Sequence, residues 1–332
     1  MRVTILMAGC LLLAGCGSGG GSSTNSAATP LGSGGSLPTP SPMPSPAPTP
    51  VPAPTPAPSY LKYSELTGNQ ILQTACASVP LAPTGSTLLF QAQGFGSGPP
   101  LNYTSSTQSY LINEYGFNST FGPSDIDPAA PGPNYYRKTV GTTTETFSII
   151  QSTSGGTAFD YVRHYSLTGL VGTQLQRNYC VFGVPTVATD VPTGTNLTFS
   201  KVVISGIAYI KRPSGAIESY SLSGSTATLA FNMTNGNVLS NLALSGTRLI
   251  AGSTAVVPFG NFRTIQAFDI EPAQSKFAGR MEGTDRVATN SYYGGSFFGP
   301  QGAEAAYAFG LTTSDPATSA QIVVIGTVRA TR

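Results

Sequence analysis

Chemistry in this chain has few residues to work with. Its 332 residues hold one histidine, His164, four cysteines and 14 carboxylate side chains. A Ser-His-Asp machine would need His164 as its base, and no Gly-x-Ser-x-Gly nucleophile elbow accompanies it in the folded part. His164 lies in Phe159-Asp160-Tyr161-Val162-Arg163-His164-Tyr165, where strand alternation puts Asp160, Val162 and His164 on one face. The expectation there is an ordinary half-exposed strand histidine, not a catalytic or haem-ligating one. Asp125-x-Asp127 sits in a proline-flanked loop but lacks the further oxygens of a calcium loop. Multi-histidine metal sites are excluded, and two cysteines with a distant histidine fall short of the four ligands of zinc. The reading is of no catalytic residue, no metal and no cofactor.

The surface around these residues is unusual. Charged residues make up 9% of the chain where about 25% is ordinary, so Ser, Thr, Asn and Gln must carry the solvation. Sixteen Lys and Arg against 14 Asp and Glu give a net charge of +2, too little for a phosphate-binding stripe, and nucleic acid is excluded as a partner. Residues 1–15 read as a secretory signal, with Arg2 as the positive start and an apolar run too short to span a bilayer. The segment ends in Leu13-Ala14-Gly15-Cys16. That spacing is similar to the lipobox of bacterial lipoproteins, in which the cysteine thiol carries diacylglycerol. Several acyl chains at Cys16 would hold the protein stably on a membrane, whereas one chain anchors marginally. Gly17 in place of an aspartate carries no inner-membrane retention signal, so the outer membrane is expected.

Residues 16–58 are the tether. Gly17 to Leu37 is nearly all Gly, Ser, Ala, Thr and Asn, a flexible composition, and Pro38 to Pro58 places eleven prolines at alternate positions. Extended polyproline II at about 3.1 Å per residue gives that stretch a reach of roughly 65 Å. With Cys10 lost with the signal and Cys16 lipidated, Cys76 and Cys180 remain. An even pair in an exported protein reads as a disulfide, the alternative being two separate buried thiols. Closing a loop of about 100 residues is worth about 4 kcal/mol in the chain-entropy picture.

Residues 59–332 show period-2 patterning throughout. Lys201–Lys211 places Val203, Ile207 and Tyr209 on one face, and Thr226–Thr234 alternates Leu229, Phe231 and Met233 against polar neighbours. Further strands are expected at 87–92, 144–151, 158–166, 174–182, 238–250, 264–270, 276–282 and 321–329, and a modest helix only over Tyr63–Ala77. The fold class is all-β, with antiparallel sheets closing into a barrel or sandwich.

Gly295-Ser296-Phe297-Phe298-Gly299-Pro300-Gln301-Gly302-Ala303-Glu304 resembles the signature of the C-terminal β-barrel in transferrin-binding-protein-B-like surface lipoproteins. Val181-Phe182-Gly183-Val184-Pro185-Thr186 followed by Val191-Pro192-Thr193-Gly194-Thr195 is similar to that family's lead-in to the first barrel strand. The chain departs from the pattern at Ala306-Tyr307, where the family usually has two glycines. The resemblance implies an eight-stranded antiparallel barrel over 186–332, preceded by a smaller β-rich handle domain over 59–185. It also implies binding of a macromolecular partner, in the class of iron- or haem-carrying proteins. Glu304 is expected to receive backbone amides at its turn, and Phe297 and Phe298 to pack at a strand edge. Tyr135-Tyr136-Arg137-Lys138, in a Pro/Gly-rich loop, is the expected contact patch, because Tyr and Arg are enriched in interface hot spots. The protein thus reads as a non-enzymatic outer-membrane surface lipoprotein anchored through Cys16. The alternatives are a carrier of a small ligand such as haem or a metal complex, and a structural envelope lipoprotein.

Overall fold

The computed structural model describes residues 57–81, 87–130, 132, 134–194, 196–271 and 275–332. They belong to one compact unit, Thr55–Arg332. The signal segment, Cys16 and nearly all of the tether lie outside the described residues.

The chain is all-β and antiparallel. The first twelve strands are β1 (Gln70–Leu72), β2 (Thr74–Leu81), β3 (Gln91–Gln93), β4 (Leu101–Thr104), β5 (Ser109–Glu114), β6 (Phe117–Phe121), β7 (Tyr135–Val140), β8 (Thr143–Ile150), β9 (Thr153–Ser154), β10 (Thr157–Ala158), β11 (Val162–Val171) and β12 (Gln174–Gly183). They form a four-stranded sheet, β1-β4-β5-β6, a six-stranded sheet, β3-β2-β12-β11-β8-β7, and a small hairpin, β9-β10. Ten strands follow: β13 (Asn196–Phe199), β14 (Lys201–Lys211), β15 (Ile217–Ser221), β16 (Thr226–Asn232), β17 (Asn237–Arg248), β18 (Val256–Glu271), β19 (Lys276–Gly283), β20 (Ala288–Phe298), β21 (Glu304–Ser314) and β22 (Gln321–Thr331). Their ladders close, because β17 pairs with both β15 and β18. The ring runs β17-β15-β14-β22-β21-β20-β19-β18 and back to β17, with β13 and β16 prolonging β14 and β15 beyond short breaks.

Two-residue alternation builds three layers. In β22, Ile322, Val324, Val328 and Ala330 point into the barrel, while Val323 and Ile325 point out and are covered by the six-stranded sheet. The same division separates Phe297, inside the barrel, from Phe298, outside it. The opposite face of the six-stranded sheet buries Cys76, Phe147, Tyr165 and Phe182 against Phe117, Phe121 and Ile112 of the four-stranded sheet. The order is therefore small sheet, large sheet, barrel wall.

The six-stranded sheet and the barrel wall approach closely because glycine and alanine line the contact. A Cβ on Gly294 of β20 would stand 2.8 Å from the Cα of Gly94. Ala75 and Ala77 face Ala306 and Ala308 in the same apolar cluster.

Four local expectations are corrected. Tyr63–Ala77 holds a single 3-10 turn, Tyr63–Glu65, followed by β1 and the start of β2, because its apolar residues serve two sheets and not one helical stripe. Of residues 87–92, only Gln91 onward is strand. Phe297 and Phe298 are fully buried in β20, which is paired on both sides, and are not at an edge. His164 is 3% exposed and not half-exposed, because the barrel covers a face that β11 alone would show to solvent.

Candidate functional site

The signature segment is a clasp. β20 ends at Phe298, Gly299 takes φ +71°, and a 3-10 turn, Pro300–Gly302, leads into β21 at Glu304. A side chain at Gly299 would meet the ring of Tyr161, so glycine is required both for the φ and for the space. The Gly299 amide donates to the Val184 carbonyl, and the Thr186 hydroxyl donates to the Gly299 carbonyl at 2.6 Å. The Gln301 amide donates to the Asp190 carboxylate at 2.8 Å. Glu304 receives three amides, from Asp160 at 2.6 Å, Tyr161 at 3.0 Å and Val162 at 2.7 Å. These amides lie 142 to 144 residues upstream and not at the glutamate's own turn. Burial nonetheless holds the Glu304 carboxyl above its ordinary range. Both oxygens are committed to holding the entry of β11 against the barrel, a positioning task.

Cys76 and Cys180 face each other on β2 and β12 and are joined by a disulfide. Glu114 lies beside it, 1% exposed, receiving the Thr74 hydroxyl at 2.9 Å. Burial pushes its carboxyl up to about 7. Oxygen and sulfur atoms of Cys76, Cys180 and Glu114 lie within 4.8 Å of one another. Bonded to each other, the two sulfurs offer no thiolate to a metal.

Asp125 accepts the Gly122 amide, and Asp127 pairs with Arg137 at 3.1 Å and accepts the Ala129 amide. Each carboxylate thus has a local partner, as expected of turn residues. The His164 imidazole is held well below its ordinary range by burial and by the charge of Arg329.

Tyr135-Tyr136-Arg137-Lys138 is the start of β7, an outer strand of the six-stranded sheet, and not a loop. Alternation turns Tyr136 into the core, where its ring stacks on Phe147 with centroids 5.6 Å apart. Lys138 donates to the Thr120 carbonyl at 2.6 Å and lies over the Phe121 ring. Tyr135 and Arg137 point to the other side, with the guanidinium over the Tyr135 ring. Among the described residues, a single bridge, Ile126 to Tyr136, continues the sheet beyond β7. Exposed apolar side chains surround this edge: Ile126 at 42%, Val140 at 52% and Ile150 at 44%. A cavity of about 460 Å³ opens there, lined by Asn134, Tyr135, Ser148, Ile150 and Gln151 among others. Ile126, Val140 and Ile150 carried no sequence signal, since an exposed isoleucine on one strand looks like any core residue. The arrangement suits contact with another molecule.

No family model matches the chain, and a search of curated proteins finds no match. Solved structures do resemble it. A transferrin-binding protein B double mutant from Haemophilus parasuis Hp5 is 12% identical, covering 79% of this chain and 46% of that one, with a TM-score of 0.37. The isotype 1 protein from serogroup B Neisseria meningitidis is 13% identical over 78% and 44%, with a TM-score of 0.39. HpuA from Kingella denitrificans, in complex with human haemoglobin, is 12% identical over 83% and 95%, with a TM-score of 0.33. The chain thus spans under half the length of the two transferrin-binding proteins. The likeness is one of fold, and at these scores nothing about partner or activity follows from it.

Proposed function

We propose that the protein is an outer-membrane lipoprotein, anchored through Cys16, that holds a protein partner at the free edge of its six-stranded sheet and carries out no reaction. The observation that supports this most is the contrast between its surfaces. The barrel interior is filled by its own side chains, including Phe231, Phe277, Phe297 and Tyr307, and the signature is occupied as a clasp. At β7, by contrast, Tyr135 and Ile150 line a cavity, Arg137 lies over the Tyr135 ring, and Ile126 and Val140 are exposed along the same strand edge. Aromatic and arginine anchors with apolar neighbours are the composition of binding hot spots. The signature's family resemblance gives the partner class as an iron- or haem-carrying protein.

The test is equilibrium binding of the full chain to transferrin and to haemoglobin, with the double variant Tyr135→Ala, Arg137→Glu alongside. Binding to either that weakens at least tenfold in the variant, whose fold is checked by circular dichroism, supports the reading. Equal binding by wild type and variant overturns the assignment to this edge.

A second reading rests on a different opening. Between β14 and β16 the ladder is interrupted, and a cavity of about 580 Å³ is lined there by Phe199, Val202, Ile204 and Leu229 with Thr198 and Ser225. An apolar small-molecule ligand suits that slot, and copurification of such a ligand with the full chain would favour this alternative.

A further inference from the structure

Arg329 is the bulkiest fully buried side chain, with 0% exposure. It stands on the outward face of β22, which would be solvent-facing in a bare barrel but is covered by the six-stranded sheet. One of its nitrogens donates to the Thr327 hydroxyl at 2.9 Å and another to the Ser205 hydroxyl at 2.8 Å. Its strand neighbours by register are Val203 and Ala306, neither of them acidic. Glu304, two positions from Ala306 on β21, has its oxygens bound to the amides of Asp160, Tyr161 and Val162. Among the described residues Arg329 makes no ion pair, and its buried Nε has no hydrogen-bond partner. His164, on the barrel-facing side of β11 with Val162, is 3% exposed, and its Nδ1 also lacks a partner. The imidazole feels the guanidinium charge.

A buried guanidinium without a counter-charge is among the costliest arrangements in a folded protein. Desolvation alone pushes Arg329 down to about 9. Two neutral hydroxyls satisfy some of its N–H groups but none of its charge. What the pocket calls for is a small anion that accepts from nitrogen donors and has little hydration to lose.

We propose that the interface between the six-stranded sheet and the barrel wall binds one small monovalent anion of the halide class between Arg329 Nε and His164 Nδ1. In this arrangement the imidazole is neutral with its proton on Nδ1, donating to the anion, and the anion neutralises the guanidinium. The anion is then structural: it binds the folded layers and not the unfolded chain, and so stabilises their packing by mass action.

The test is thermal unfolding of the full chain in sodium chloride against sodium methanesulfonate at equal ionic strength and fixed pH 7.5. The expected result is a midpoint that rises saturably with chloride by about 5 °C, the scale that a hundredfold excess over Kd produces in a protein of this size. Bromide is expected to act likewise. Two variants locate the effect. Arg329→Met is expected to lose the chloride dependence. Ala306→Asp, which places a carboxylate opposite the guanidinium, is expected to lose it as well while unfolding no earlier than wild type does without chloride. Crystals grown in sodium bromide are expected to show an anomalous peak between Arg329 and His164. A wild-type midpoint identical in chloride and methanesulfonate overturns the proposal. So does chloride dependence that survives in a folded Ala306→Asp or Arg329→Met variant, because the anion then acts elsewhere.

Discussion

Single residues in this protein are set by the layer that covers them. Glu114 shows this most clearly, since its carboxyl is pushed up to about 7 by burial beside the disulfide. In the unfolded chain the same group titrates near 4.5. The folded state therefore binds the extra proton between these values, and stability is fully present below pH 4.5 and lost as pH rises through about 7. At about 1.4 kcal/mol per pH unit this window is worth roughly 3 kcal/mol. His164 acts in the opposite sense, because its depressed folded value costs stability as pH falls below 6.5. The two are separated by comparing Glu114→Gln with wild type in urea. The difference in unfolding free energy is expected to shift in the variant's favour by roughly 3 kcal/mol from pH 4.5 to pH 8. A pH-independent difference would exclude the carboxyl as the source. None of this was legible in the sequence. Glu114 ends a strand whose alternation places it correctly, but only the second sheet makes that face dry. Arg329 is the same case: its position opposite Val328 marks it as outward, and outward here means buried.

At the scale of elements, the alternation that reads as β-strand also assigns faces, and it does so correctly wherever both faces are apolar or one is wet. Lys201–Lys211 is β14 with the boundaries read from its pattern, and Ile207 and Tyr209 share a buried face as expected. The failures come where an element is short or its partner remote. Tyr135–Val140 follows a Pro/Gly-rich stretch and is six residues long, so its strand character emerges only through pairing with β8. The three amides on Glu304 come from more than 140 residues away, a contact that no local period encodes. Glycine placement is the element-scale device that joins the layers. Gly294→Ala would drive a methyl group to 2.8 Å from the Gly94 backbone, where no side chain can yield. Overpacking of this kind costs about 1–3 kcal/mol. Urea unfolding of the variant is expected to show that loss as a lower midpoint with unchanged slope. A wild-type midpoint would mean that the layers are less tightly registered than their contact distances indicate.

For the whole molecule, the proposed organisation is one of presentation. A clasp at Gly299–Glu304, a disulfide between β2 and β12, and a small-residue interface fix a three-layer head. Among the described residues, β7 is the outer strand that carries both a tyrosine and an arginine on its open side. Among the described residues no helix is long and apolar enough to cross a membrane. Attachment in this account comes from Cys16 and reach from the proline-rich tether, both read from sequence and both outside the described residues. A spacer of roughly 65 Å is of use only if the head stands clear of the surface it is tied to. The most direct measurement is therefore protease shaving of intact cells that express the full chain, with detection of the head by antibody and Cys16→Ala as the control. Outward display predicts that the head is released from intact wild-type cells, and that the Cys16→Ala protein is missing from the membrane fraction. A head that stays protected until the outer membrane is permeabilised would contradict surface display, and partner binding from outside the cell with it.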